Sequence, residues 1–374
     1  MSVSDKGRLQ SVDALRGFDM FWILGGEKLF AALFVLSGWH FWQIADNQMA
    51  HSSWHGFTFY DFIFPLFIFL SGVSLGLANK QLSALTLTQR APVYKKALKR
   101  LLLLSLLGVI YNHGWGTGLP SQLEDIRFAS VLGRIAIAWF LAAMIVWHFR
   151  LVIQIAIALS ILLLNFILHM LVESPSGQLG IENSALTWNA WFDERLLLGA
   201  SYQNLAVDPE GVMSHFPAVV NALIGVWFGQ LIRLYDNKPP SEIVWHGTII
   251  GLVLLALGGS WDLVYPVNKT LWTSSFVFVS AGWSVILMSV FYWLFDVIKL
   301  QKIGMFFIVI GLNSIAIYLS TSLINWQFTA QSLFGGLISA SPDAVIPLLQ
   351  VIALILVQWL VLFYMYRKRL FVHV

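Results

Sequence analysis

The 374 residues contain no cysteine, which excludes disulfide staples and thiolate metal sites. Charge is scarce too: 11% of residues are Asp, Glu, Lys or Arg, against about 25% in soluble domains. What fills the chain instead is apolar, 58% by count with a mean hydropathy of +0.76. That balance excludes a water-soluble fold. Without the alternating pattern of a barrel, the spanning segments must be helices, because backbone groups in lipid have to be satisfied within the segment. The chain therefore reads as all-α, a polytopic membrane protein. A cleavable leader is not evident. Met1 to Gln10 is polar, and the apolar segment after it carries Asp19, Glu27 and Lys28, unlike a signal h-region. No repeat relates the two halves, which weakens an inverted-repeat transporter.

A helix needs about 20 apolar residues to cross the hydrocarbon. About ten stretches meet this, near 15–37, 57–79, 97–115, 129–148, 151–172, 213–234, 243–261, 273–295, 304–325 and 346–366. The basic residues set their orientation. Lys6, Arg8 and Arg16 lie at the start, and Lys80, Arg90, Lys95, Lys96, Lys99 and Arg100 in the second connection. Arg150, Arg233, Lys238, Lys299, Lys302, Arg367, Lys368 and Arg369 fall in the other even connections and the tail. Seventeen of the 22 Lys and Arg thus share one side, which the positive-inside rule makes cytoplasmic together with both termini. The net charge of +3 and pI near 9.0 reflect those loops rather than a nucleic-acid partner. Seventeen Trp exceed what interfacial belts require, so some are expected to line an interior cavity. The chain is read as one domain, with the long 173–212 connection as an ordered outer cap. That connection is rich in acids and carries Trp188 and Trp191.

Chemistry concentrates where an outer loop turns into the second span. His51 and His55 are four residues apart, and Asp61 lies ten beyond His51, one turn inside the run from Phe57 to Ala78. An ionisable group there is expensive in lipid and marks function or a buried partner. A histidine can serve as base or nucleophile near neutral pH, and a carboxylate can fix its tautomer. If 51–56 begins a helix, the two imidazoles share a face. The bland alternative is two wet interfacial histidines and an Asp paired with a basic group. A two-His, one-Asp metal site lacks a characteristic spacing, and no metal is expected.

Other polar groups punctuate the spans. Asp13 is placed to cap the first helix, and Arg16 to hold a phosphate or carboxylate, unless the two simply pair. Glu27 and Lys28 are helix neighbours and cannot face each other, so each needs a partner elsewhere; Arg134 is a candidate for one acid. The Gly-rich loop from Tyr111 to Gly118 matches no phosphate-binding spacing, and its His113 ranks second as a site residue. Asp208 and Glu210 stand at the entry to the sixth span, Asn268 and Lys269 before the eighth, and Asn313 inside the ninth. Each alone is equally well a cap or an interhelical hydrogen bond.

In order, these pieces resemble the heparan-α-glucosaminide N-acetyltransferase family. The resemblance rests on Arg8-Leu9-Gln10-Ser11-Val12-Asp13-Ala14-Leu15-Arg16-Gly17, His51-Ser52-Ser53-Trp54-His55-Gly56, Asp61 with Phe64-Pro65, and Val131-Leu132-Gly133-Arg134. It continues through Asp208-Pro209-Glu210-Gly211, Pro266-Val267-Asn268-Lys269-Thr270-Leu271-Trp272, Gly311-Leu312-Asn313-Ser314 and the tail Tyr366-Arg367-Lys368-Arg369-Leu370-Phe371. It implies a transmembrane acetyltransferase that takes acetyl from cytosolic acetyl-CoA and delivers it to a glucosamine-type amine on the far side. The family's active histidine falls on His51, supported by Asp61. Trp54, His55, Asn268, Lys269, Asp208 and Glu210 are then expected on the sugar side, and Arg16, Asp13, Arg134 and Asn313 on the CoA side. A homodimer through membrane helices is compatible with the resemblance, and a bacterial inner membrane is the expected location. An amino-sugar transporter is the rival reading, because polar residues inside many spans also suit a permeation path.

Overall fold

The computed structural model describes residues 9–78, 82, 86–116, 122–235 and 237–372. Lys6, Arg8, Lys80, Thr117 and Gly118 of the sequence reading lie outside the described residues. The described chain is helical, with no β-strand among the described residues. In order the helices are α1 Gln10–Ile23, α2 Leu29–Ser37, α3 His40–Asn47, α4 Phe59–Ala78 and α5 Leu87–His113. Then come α6 Val131–His148, α7 Leu151–Met170, α8 Trp188–Leu196, α9 His215–Leu234 and α10 Pro240–Asp262. The last are α11 Ser274–Tyr292, α12 Gln301–Leu312, α13 Ser314–Leu323, α14 Trp326–Ser339 and α15 Ile346–Arg367.

Among the described residues, seven helices are long and apolar enough to cross a membrane, and nine spans result if each of two bent pairs counts once. This is consistent with a polytopic membrane protein. It differs from the ten expected at one place. The 97–115 stretch is the end of α5, whose first half carries Arg90, Lys95, Lys96, Lys99 and Arg100 and is too charged to qualify. The two bent pairs break at chemically distinct points. Gly25, at φ +116°, turns α1 into the α2 segment through 63°, and Asn313 interrupts α12 and α13 at 61°.

By contacts the chain divides into two compact units. One holds the residues up to His51, Thr58–Tyr60, and the chain from Leu287; the other holds Ser52–Phe57 and Asp61–Ile286. In the first unit, α1 starts at Gln10, so Asp13 lies inside the first turn rather than at the cap. The cap comes from far along the chain: the Asp296 carboxylate accepts from Gln10 N–H at 3.3 Å and Ser11 N–H at 3.2 Å. A carboxylate there satisfies orphan donors and complements the helix dipole. α1 and α12 approach closely because Gly17 and Gly311 leave backbone against backbone, where a Cβ would meet the Phe307 or Asp13 carbonyl.

The second unit uses the same device twice. Gly72 and Gly76 of α4 lie against the Ala222 and Val226 carbonyls of α9, while Gly225 and Gly229 lie against those of Phe69 and Val73. Small residues at four-residue spacing let membrane helices pack at backbone contact, where dispersion rather than water release holds them. This crossing fixes α4, and with it Asp61, against the helix that follows the 208–214 turn. A second core gathers Ile181, Ala190, Val207, Tyr265 and Leu271, with Trp54, Phe166, Met170 and Trp261 around it. It packs the 173–212 connection, which contains α8, onto the loop after α10.

Candidate functional site

Within the second unit, the residues before α4, the loop after α10 and the turn before α9 bring a polar cluster together. Asp61 sits in the first turn of α4 and is fully buried. Pro65, one turn on, lacks the N–H that would otherwise bond to the Asp61 carbonyl. Asp61 Oδ2 accepts from Ser52 Oγ at 2.8 Å and from Ser52 N–H at 3.2 Å, and its Oδ1 lies 3.5 Å from Lys269 Nζ. The pairing with a basic group anticipated for Asp61 is therefore made by Lys269. Burial lowers the Lys269 pKa, and the Asp61 charge opposes that shift. Residues 51–58 form no helix, so His51 and His55 do not share a helical face. The loop is fastened by Gly56 N–H, which donates to Val267 O at 2.8 Å.

The Asn268 loop is built tightly. Asn268 Oδ1 accepts from Leu271 N–H at 2.9 Å, and Thr273 Oγ1 accepts from Asn268 N–H at 3.0 Å. The turn ends on Trp272, a fully buried Trp at φ +55°, a region costing about 1–3 kcal/mol for a side-chain-bearing residue. Its indole donates to Asn221 Oδ1 at 2.9 Å and lies 5.3 Å from the Phe64 ring. Over the Trp272 ring, at 4.7 Å, stands the Arg134 guanidinium. Arg134 is fully buried and donates to Ser214 Oγ. Arg134 Nε and Nη1, and Asn268 Nδ2, have no hydrogen-bond partner among the described residues. Buried donors left in this condition are costly, so they fit an acceptor supplied by a ligand, such as a thioester carbonyl or a phosphate. The acids that Arg134 was expected to meet, Asp19 and Glu27, belong to the first unit; within the second, the charges acting on it are Glu210, Asp208, Asp193 and Arg127.

Asp208 and Glu210 are held by a residue outside the sequence motifs, Arg127. Arg127 grips Asp208 with both arms, at 2.6 and 3.0 Å, and reaches Glu210 with the same terminal nitrogen. Burial would lower the Arg127 pKa, but the hydrogen bond to Asp208 and the two carboxylate charges raise it. Burial would likewise raise Asp208, and Arg127 outweighs it and holds the carboxyl below its ordinary value. Asp193 of α8 takes backbone N–H groups from Asp208 at 3.0 Å and Val212 at 2.8 Å; burial nevertheless pushes it up to about 6. The signal for Arg127 was present. It is one of three basic residues on the acidic side of the chain, and a buried Asp-x-Glu pair requires a counter-ion.

Trp54 Nε1 donates to Ile181 O at 2.8 Å, tying the histidine loop to the 173–212 connection. His55 Nε2 lies 3.8 Å from the largely exposed Glu182, too far for a hydrogen bond, and neither ring nitrogen of His55 has a hydrogen-bond partner among the described residues. In the first unit, His51 is exposed, with its ring 4.9 Å from Tyr60. Arg16 and Asp13 approach to 3.8 Å as an i,i+3 pair. The Asn313 side chain donates to Leu370 O at 3.0 Å and accepts from Val372 N–H at 3.0 Å, so its amide tethers the C-terminal segment. No group of three or more metal-ligating side chains occurs among the described residues.

The family model described as heparan-alpha-glucosaminide N-acetyltransferase, catalytic, matches residues 8–268. The mouse heparan-alpha-glucosaminide N-acetyltransferase is 25% identical over 381 residues, covering 88% of this chain and 55% of that protein. The human protein of the same name is 26% identical over 377 residues, covering 87% and 54% respectively. The chain thus spans about half the length of the curated relatives it matches. The match runs from the Arg16 motif through the histidine loop and α6 to Asn268, and on it the chain belongs to the heparan-α-glucosaminide N-acetyltransferase family.

Proposed function

We propose that this chain is a membrane-embedded N-acetyltransferase, moving acetyl from cytosolic acetyl-CoA to the amine of a glucosamine-type sugar on the outer face of a bacterial inner membrane. Family membership supports the reaction class. The observation that carries the site is the pairing of fully buried Asp61 with partly buried Lys269 at 3.5 Å, set beside Arg134 and Asn268, whose donors lack a hydrogen-bond partner among the described residues. Such a cluster serves no packing purpose that apolar residues would not serve better.

In this reading His51 takes a proton from the sugar ammonium, and the freed nitrogen lone pair attacks the thioester carbonyl carbon. The C–S bond breaks as the CoA thiolate takes the proton held by His51, and His51 then takes the remaining extra proton from the acylated nitrogen, leaving the neutral amide, and releases it to water. Asp61 supports this by fixing Ser52, the residue next to His51. Asn268 and Lys269 hold the acceptor or polarise the carbonyl. Arg134 supplies buried donors to the acetyl donor, and Asp13, Arg16 and Asn313 of the first unit are assigned to CoA binding. Trp54 and His55, with Asp208 and Glu210 behind them, shape the sugar side, and the 173–212 connection caps it against water. The basic first half of α5, where the Arg100 guanidinium lies 4.3 Å over the Trp139 ring, meets the CoA phosphates. A homodimer through membrane helices fits the same reading.

Detergent-solubilised chain incubated with acetyl-labelled CoA and a panel of glucosaminides should transfer label to the amine of at least one of them. Labelling of none, by a preparation that melts cooperatively, would contradict the reaction.

A further inference from the structure

The first unit contains a cavity that the acetyltransferase reading does not use. It has a volume of about 500 Å³ and lies among α2, α14 and α15. Four polar side chains converge on it: Lys28, Gln327, Gln331 and Gln350. All four are exposed, and Lys28 has the charge of its neighbour Glu27 beside it. Its other walls are apolar, with Ala31, Val35, Ile338, Val351 and Leu354. No carboxylate lines it, so its single charge is positive. The neighbouring Glu27 is not among the lining residues, and one of its oxygens is buried with no hydrogen-bond partner among the described residues.

The position of the cavity in the fold narrows the occupant. Lys28 follows directly on the 63° bend between α1 and the α2 segment. Gln358 of α15 donates to Leu24 O at 2.8 Å and fastens that bend. On the two helices that wall it, α14 and α15, Leu337, Ile352 and Leu356 expose their side chains as lipid-facing residues do. An apolar trough ending in one ammonium and three amides matches an amphiphile with an anionic head. An ammonium binds phosphate as a point charge, and amide N–H groups complete its oxygens. In a bilayer the amphiphile at hand is a phospholipid.

We propose that this cavity is a specific site for an anionic phospholipid. Its phosphate meets Lys28, Gln331 and the neighbouring glutamines, and an acyl chain lies along α15. Occupancy steadies the bend that α1 makes at Gly25. The proposal does not depend on the acetyl-transfer reading.

The test is native mass spectrometry of the full chain with phosphatidylglycerol or phosphatidylcholine of identical acyl chains, and separately with inorganic phosphate. The wild-type chain should retain one phosphatidylglycerol at least tenfold more tightly than phosphatidylcholine. Lys28→Ala should abolish that preference, and Gln331→Leu should weaken retention several-fold. Should Lys28→Ala fail to fold, Gln331→Leu decides alone. Equal retention of the two lipids, undiminished phosphatidylglycerol binding in the variants, or displacement of the lipid by inorganic phosphate would each overturn the assignment.

Discussion

Replacing His51 by Ala should lower acetyl transfer to a glucosaminide by about 10²–10⁴-fold, the range a positioned general base contributes. The effect should fall on kcat, because the imidazole acts on the proton that leaves as the amine attacks, not on binding of either substrate. The exposed position of His51 makes it reachable by a solute and makes its removal tolerable to the fold. The melting temperature of the variant should therefore match that of the wild-type chain. If His51 instead accepts the acetyl group itself, the wild-type chain incubated with labelled acetyl-CoA and no sugar will carry label, and His51→Ala will not. Wild-type turnover by a folded His51→Ala chain would remove the residue from the mechanism.

Arg127→Ala should be the most destabilising single change in the second unit. It leaves Asp208 fully buried and Glu210 nearly so, side by side and without their cation. Removing one partner of a buried ion pair costs about 3–5 kcal/mol, which for a chain of this size is a melting temperature lower by roughly 5–10 °C. The pH dependence gives the effect a sign. In the wild-type chain Arg127 depresses Asp208, so the stability it contributes is present above the ordinary carboxylate pKa and lost as pH falls through the depressed one. Without Arg127, burial raises Asp208, and the folded chain binds its proton more readily than the unfolded chain does. The defect should then shrink on acidification to about pH 4 and grow toward neutrality. Adding Asp208→Asn and Glu210→Gln to Arg127→Ala should recover much of the loss, since no uncompensated charge remains. A triple variant as unstable as the single one would show that the pair is not what Arg127 holds.

The helical, membrane-type character of the chain was legible because composition and run length alone decide it. The histidine loop, Asp61 and the Asn268-Lys269 turn were legible as polar interruptions of apolar runs. Their partners were not. Lys269 reaches Asp61 across 208 positions of sequence, and Asp296 caps α1 across 286, separations at which no local pattern carries information. Asn313 illustrates a position where local pattern leaves two roles open. An amide inside a span looks like a ligand-binding group, yet at this position it breaks the helix and tethers the tail. The glycine pairs of α4 and α9 were readable in principle from their four-residue spacing. That they face each other is decided by packing. The third expected span falls within α5, whose helix runs through five basic residues before reaching the apolar part, a start that no run of apolar residues marks.

The account depends above all on acetyl crossing from one face of the bilayer to the other. Sealed proteoliposomes with acetyl-labelled CoA on one side and an impermeant glucosaminide on the other would measure this directly. The expected result is labelled glucosaminide when the two substrates are in opposite compartments, in the vesicle fraction whose basic α5 segment faces the CoA, and none with His51→Ala. Label appearing only when both substrates share a compartment, or sugar crossing intact without acetyl-CoA, would contradict it.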